Sequence, residues 1–252
     1  AAEEAFGTNP YMIFRPVADG RALPSHPFSS VATELSADVP LMIGTTEYET
    51  TTMSHVLDFP VEYAETGIFP ENMLHKYLYT AFEGEFVGGS EPADMSYVKE
   101  LVKTHRQNYP GASAYDTFFW ITSNKCYRID SQIIADRKSR LNEAPVYMYL
   151  FAWDTPFLGG GIIRSTHSSE LPFIFNALDA VGPLITGRDP RAYSLAENMS
   201  SAWANFARTG NPNHAGLPSW PTYDMQTRQT MIFDNQSKVE SDPDGEELRA
   251  MK

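Results

Sequence analysis

At residues 39 to 46 the chain reads VPLMIGTT, an apolar run opened by Pro40 and closed by Gly44 and two threonines. A run without polar alternation suits a strand covered on both faces, so these residues predict a central strand of a parallel sheet. Residues 145 to 153, PVYMYLFAW, form a second such run. It is rich in aromatic residues and too short for a core helix, and it predicts a second buried strand. Between the two, helical patterns alternate with breakers. Glu71 to Phe82 is followed by a break at Gly88-Gly89, Asp94 to Asn108 ends at Tyr109-Pro110-Gly111, and a long pattern runs from Ser113 to about Leu141. Thr122-Ser123-Asn124 is a plausible break within this last pattern, whose buried candidates include Phe118, Ile121, Tyr127 and Ile129.

Upstream, YMIFRPVADGRALPSHP at 11 to 27 carries prolines at 16, 24 and 27 that forbid a helix, which predicts an extended connector with a turn at Asp19-Gly20. Downstream, Asp154 to Ser169 is rich in turn residues and contains His167. Residues 193 to 209 read as a helix with Ser194 as N-cap, Glu197 completing a capping box and Gly210 as the stop. QTMIFD at 229 to 234 reads as a short final strand, and the polar end from Ser241 is expected to fray. Strand, helices, strand, helix is the order of a doubly wound α/β sheet, mostly parallel and flanked by helices.

Composition narrows the function. With 252 residues, 42% of them hydrophobic, the chain has material for a large core, which excludes a disordered tail or a small stapled scaffold. A formal net charge of -13 repels polyanions and argues against nucleic acid as a partner. Cys126 is the only cysteine, so neither an intrachain disulfide, a cysteine-based zinc site nor a C-x-x-C redox motif can be built. No stretch approaches the ~18 apolar residues of a membrane span, and AAEEAFGTNPY lacks the basic and apolar regions of a signal peptide.

In doubly wound sheets the chemistry lies past the carboxyl ends of the strands. Glu47-Tyr48-Glu49 follows the first run and His167 follows the second. A carboxylate and an imidazole delivered in this way are the orienting half of a nucleophilic triad. The glycine-flanked serine elbow that would complete it is absent: GASAY at 111 to 115 and the serines beside His167 are the nearest approaches, and neither has both glycines. His26, His55, His75, His105 and His214 read as solvated or structurally hydrogen-bonded, and Glu47 as a solvated charge at a strand end.

Several stretches resemble the C-terminal half of a type-B carboxylesterase, a family that includes cholinesterases and bacterial p-nitrobenzyl esterases. Phe14 to Gly20 with Leu23-Pro24 and Pro27 is similar to the family's F-x-P-V-x-D-G-x-x-L-P-x-x-P. VPLMIGTTEYE at 39 to 49 is similar to V-P-L-L-I-G-T-T-x-D-E-G, and Thr166 to Phe175 to the H-x-x-E-L-P-F-V-F block. Trp203 to Asn213 and Leu217 to Tyr223 resemble W-x-x-F-A-R-T-G-N-P-N and L-P-x-W-P-x-Y. The resemblance implies the C-terminal part of an α/β-hydrolase fold over residues 1–252, with Glu49 as triad acid, His167 as general base and Glu170 as an anchor of the His loop. It implies an ester hydrolase working through an acyl-serine with no metal or cofactor, on a small-molecule ester, whose serine and oxyanion hole come from an N-terminal portion acting as partner. Non-catalytic adhesion modules, and amide or carbamate hydrolases on the same triad, are the alternatives. Phe151, Trp153 and Phe157 are candidates for the substrate pocket, with ordinary sheet core as the competing reading. Thr50 stands where the family has glycine, so the acid turn must form without easy access to positive φ. A sheet cut between neighbouring strands should also leave an unpaired apolar edge and a poorly soluble chain.

Overall fold

The computed structural model describes residues 18–23, 32–84, 87, 94–156, 161–181, 186 and 188–251. In chain order its elements are β1 (Leu41–Thr46), α1 (Val61–Thr66), α2 (Leu74–Glu83), α3 (Met95–Asn108) and α4 (Ala114–Ser123). A π-helical segment (Asn124–Arg128) joins α4 without interruption to α5 (Ile129–Ser139). There follow β2 (Val146–Phe151), α6 (Leu171–Ile174), α7 (Leu178–Val181), α8 (Pro190–Thr209), β3 (Gln229–Phe233), β4 (Lys238–Ser241) and α9 (Gly245–Ala250).

Both apolar runs are strands, and they pair in parallel with Leu41 opposite Val146 and Thr46 opposite Phe151. β2 pairs in parallel with β3, and β3 pairs antiparallel with β4, in the order β1-β2-β3-β4. Side-chain alternation sorts the strands onto two layers. Val146 and Met148 join Ala135 of α5 and Tyr223 on one face, while Tyr147, Phe151, Met231 and Phe233 pack against Leu195, Ala196 and Met199 of α8 on the other. β2 is thus covered on both faces, as an unbroken apolar run requires. β1 departs from the expectation of a central strand: among the described residues it lies at the sheet edge, and Leu41 to Gly44 are only partly buried. Its composition suits two neighbours and it has one.

Gly44 is dictated by this packing. A Cβ at this position would stand 2.4 Å from the Tyr149 ring directly across the pair, and that ring packs edge-on against Trp203 of α8. Gly210 closes α8 in the left-handed conformation, as expected. The start of α8 differs from the capping-box reading. Asp189 is the N-cap, accepting a hydrogen bond from the Arg191 N–H, with Pro190 in the first turn, so Ser194 lies inside the helix. An aspartate followed by proline is a sufficient helix start and extends the amphipathic face by one turn.

The region from Ser113 is one helical rod with a π-turn at the position of the suspected break. The tail from Ser241 also departs from expectation, since it folds back as α9. His105 of α3 lies between the rings of Trp120 and Tyr109, with centroids 4.6 and 5.0 Å away, and its Nδ1 is 3.0 Å from Glu247 Oε2. Glu247 Oε1 accepts from Asn108, and Arg128 pairs with Asp244 at 2.7 Å. Side-chain pairing of this kind is invisible to periodicity, which is why a polar tail reads as frayed. The extended connector falls largely outside the described residues; within it, Asp19 Oδ1 accepts from the N–H groups of Arg21, Ala22 and Leu23, forming the expected turn.

Glu247→Ala, which leaves a buried imidazole nitrogen without its partner, should destabilise the chain by about 1–3 kcal/mol. Gly44→Ala should cost about as much by overpacking β1 against Tyr149. Urea unfolding is the measurement, and a midpoint unchanged from wild type would contradict either assignment.

Candidate active site

The in-register pairing of β1 and β2 ends both strands at one level, so the segments that leave them run side by side. Backbone hydrogen bonds then join the two exits. Glu47 N–H donates to Phe151 C=O at 2.9 Å, Tyr48 N–H to Ser165 C=O at 3.1 Å and His167 N–H to Glu49 C=O at 3.3 Å. Side chains add to the seam. Thr51 Oγ1 donates to Ile163 C=O at 2.7 Å, and the hydroxyls of Thr52 and Thr166 lie 2.8 Å apart. The seam brings Glu49 and His167, 118 residues apart in sequence, to a separation of 2.5 Å between Oε2 and Nδ1.

Glu49 is buried, and its second oxygen accepts from the Thr46 N–H at 2.7 Å. Both carboxylate oxygens are therefore committed, which fixes the plane of the group. The His167 side chain is 45% exposed, so the far edge of the ring reaches the surface. A carboxylate at Nδ1 selects the tautomer with the proton on that nitrogen and leaves Nε2 as the acceptor. The hydrogen bond from Glu49 holds the imidazole above its ordinary titration range against partial desolvation, with the charges of Glu49 and Glu170 adding to the rise. The pair thus stabilises the fold fully below the ordinary imidazole range, and its contribution is lost as pH rises through the raised value.

The turn carrying Glu49 forms without glycine. Thr50 does not adopt positive φ, and it is fully buried, with its N–H donating to Ser123 Oγ at 3.1 Å. Its hydroxyl lies 2.8 Å from that of Thr122 and 2.9 Å from that of Ser123. This hub on α4 holds the turn in place of backbone freedom, and nothing in the local sequence announces it.

Glu47 is half-buried. Desolvation first, then the neighbouring Asp154 and Asp244, push its carboxyl up to about 7. It lines a cavity of about 430 Å³ with Tyr48, Tyr109, Trp120, Asp154 and Arg164. Arg164 bridges Asp116 at 2.9 Å and Asp154 at 3.2 Å, and Asp154 Oδ1 accepts from the Ser165 N–H at 3.1 Å, clamping the segment that leads to His167. Glu170 contributes through its backbone: its carbonyl accepts from Phe173 and Ile174 at the start of α6, while its Oε2 has no hydrogen-bond partner among the described residues. Burial and the proximity of Glu49 raise its titration range.

Phe151 and Trp153 are buried and meet Phe173 with ring centroids 5.1 Å apart in each case, so both rings fill the sheet core. Phe157 lies outside the described residues. His105 and His214 are hydrogen-bonded structural residues, the latter through Nε2 to the Asn198 carbonyl at 2.9 Å. Among the described residues no group of three His, Cys, Asp or Glu is placed to hold a metal ion, and no helix is long and apolar enough to cross a membrane.

Comparison with known proteins places these observations in a family. The model described as "Carboxylesterase family" matches residues 1–251. The para-nitrobenzyl esterase of Bacillus subtilis (strain 168) is 27% identical over 244 residues, covering 95% of this chain and 43% of that protein. Liver carboxylesterase 1 of Mus musculus is 27% identical over 232 residues, covering 86% and 37%. Among solved structures, a carboxylesterase of Geobacillus stearothermophilus superposes with a TM-score of 0.72 at 29% identity, covering 96% of this chain and 46% of that one. The chain thus spans less than half the length of the relatives it matches, and its fold is that of the α/β-hydrolase esterases.

Glu49→Gln removes the charge that raises the imidazole and should bring the His167 titration midpoint down into the ordinary histidine range. Histidine-resolved NMR titration measures this directly. An unmoved midpoint would assign the raised titration to another group.

Proposed function

Because this chain belongs to the carboxylesterase family, we propose that it is the acid- and base-bearing portion of a serine hydrolase that cleaves carboxylic esters through an acyl-serine intermediate. The observation that carries this reading is the 2.5 Å contact between Glu49 Oε2 and His167 Nδ1, with Nε2 left to serve a nucleophile. The esterase relatives, matched over only part of their length, support ester hydrolysis by the assembled protein and a nucleophile supplied by an N-terminal portion.

In that assembly His167 Nε2 takes the proton from the serine hydroxyl as the Oγ–carbonyl bond forms. Glu49 accepts the Nδ1 proton in a hydrogen bond and stabilises the imidazolium so produced. Collapse of the tetrahedral adduct breaks the bond to the alcohol, which leaves with the proton from Nε2. Water then repeats the sequence on the acyl-enzyme, releasing the acid. Residues 1–252 act as the C-terminal part of one hydrolase domain, and the open edge of β1 is where the sheet continues into the N-terminal portion. The partly buried apolar residues Leu41 to Ile43 and the shortfall in length against the relatives both favour that arrangement. Phe151 and Trp153 support the pocket as core beneath the His loop.

Alone, the chain should turn over p-nitrophenyl esters no faster than a free imidazole. Robust turnover with a serine of this chain labelled by a fluorophosphonate would overturn the division of labour. In the assembled protein, His167→Ala should abolish acylation and Glu49→Gln should lower kcat by about a thousandfold or more. A base must be neutral to act, so activity should rise with pH through the raised His167 midpoint and level off above it. In Glu49→Gln the residual activity should rise at lower pH, because the imidazole loses its proton earlier. A pH–rate profile with no such limb would argue against His167 as the base.

A further inference from the structure

The rod that runs from α4 through the π-segment to α5 touches the turn that bears the acid through Ser123 and the base itself through Tyr127. A π-turn adds a residue to the helical ladder, and the side chains beyond it swing by roughly 100° relative to a regular helix. Here the Ile129 N–H reaches back to the Asn124 carbonyl, five residues earlier, and the Asn124 side-chain amide donates to the Trp120 carbonyl at 2.7 Å. The distortion is therefore satisfied by its own sequence.

Two contacts flank it. On the N-terminal side, Ser123 accepts from the Thr50 N–H and holds the turn that bears Glu49. Within the π-turn, the Tyr127 ring lies against the His167 imidazole, with centroids 5.4 Å apart and planes at 36°. The Tyr127 hydroxyl points at Met53 Sδ, 3.4 Å away in the loop that follows the acid turn. Among the described residues His167 has one other strong side-chain tether, the bond at Nδ1, and a single bond to one edge leaves a ring free to tilt about it. With 45% of the side chain exposed, little else restrains the ring. A second contact on the ring face removes that freedom and determines where Nε2 points.

We propose that Tyr127, presented by the π-turn, is the positioning residue of the dyad, holding the His167 ring so that Nε2 faces the nucleophile. It touches neither substrate nor the transferred proton and acts through His167. Its consequence for turnover rests on the hydrolase reading above, while its consequence for the imidazole does not.

The test compares Tyr127→Leu, which removes the ring, with Tyr127→Phe, which keeps the ring and removes the hydroxyl that faces Met53. In the 252-residue chain, nitrogen-15 histidine NMR reads the tautomer, the Nδ1 proton and the titration midpoint of His167. The Leu variant should broaden or lose the Nδ1 proton signal and shift the midpoint, and the Phe variant should restore both. Should Leu impair folding, Tyr127→Met fills the same space without a ring and takes its place. In the assembled enzyme the Leu variant should lower kcat by about tenfold or more with KM within about twofold, and Phe should recover most of the loss.

A folded Leu or Met variant with the wild-type Nδ1 signal and midpoint overturns the positioning role, whatever its activity. A change confined to KM overturns it as well, by making Tyr127 a substrate contact. If the NMR signals respond as stated but the assembled protein hydrolyses no ester, the hydrolase reading fails and the positioning role stands.

Discussion

The constraint on which the rest depends is the register of β1 against β2. Parallel strands can be offset by any number of residues, and an offset of two would keep every side chain on its own face. Here Thr46 stands opposite Phe151, so the exits are level and the next backbone bond, from Glu47 to the Phe151 carbonyl, continues the ladder into the loops. That extension carries Glu49 to His167. Gly44 makes the register unique, because the Tyr149 ring occupies the space over its Cα and no other residue of β1 leaves that space open.

Around this seam the site is held by a buried hydroxyl hub and by a partly exposed ion-pair clamp. Thr50 fastens the acid turn to α4 through two hydroxyls, and Arg164 clamps the base loop through Asp116 and Asp154. The hydroxyl hub is costly to break because each member is left desolvated when its partner goes. Rigidity suits an acid–base pair, whose effect depends on the direction of the lone pair at Nε2 more than on the strength of its contacts.

The strands themselves, the helix boundaries near Asp94 and Gly210 and the closing β3 were legible because they obey local rules: unbroken apolar runs, a side-chain cap, a left-handed stop. The edge position of β1 was not, since an apolar run records how many neighbours a strand is suited to and not how many this chain supplies. The frayed reading of the tail failed for a related reason. Glu247 and Asp244 look like surface charge until His105 and Arg128, more than 100 residues earlier, are brought against them. Glu47 likewise looks like a strand-end charge in sequence, and in the fold it is half-buried in a cavity with Asp154.

By itself the sequence determined the kind of sheet, the two residue types at the strand exits and the family, because these rest on composition, periodicity and ordered motifs. Only the tertiary structure decided that Thr50 replaces glycine through a hydroxyl hub and that a π-turn lays Tyr127 on the imidazole. Each of these is a contact between segments 40 or more residues apart or a single extra residue in a helical turn. Neither leaves a periodic trace in the chain, because the partner of a buried polar group is chosen by packing geometry in space and not by its neighbours in sequence.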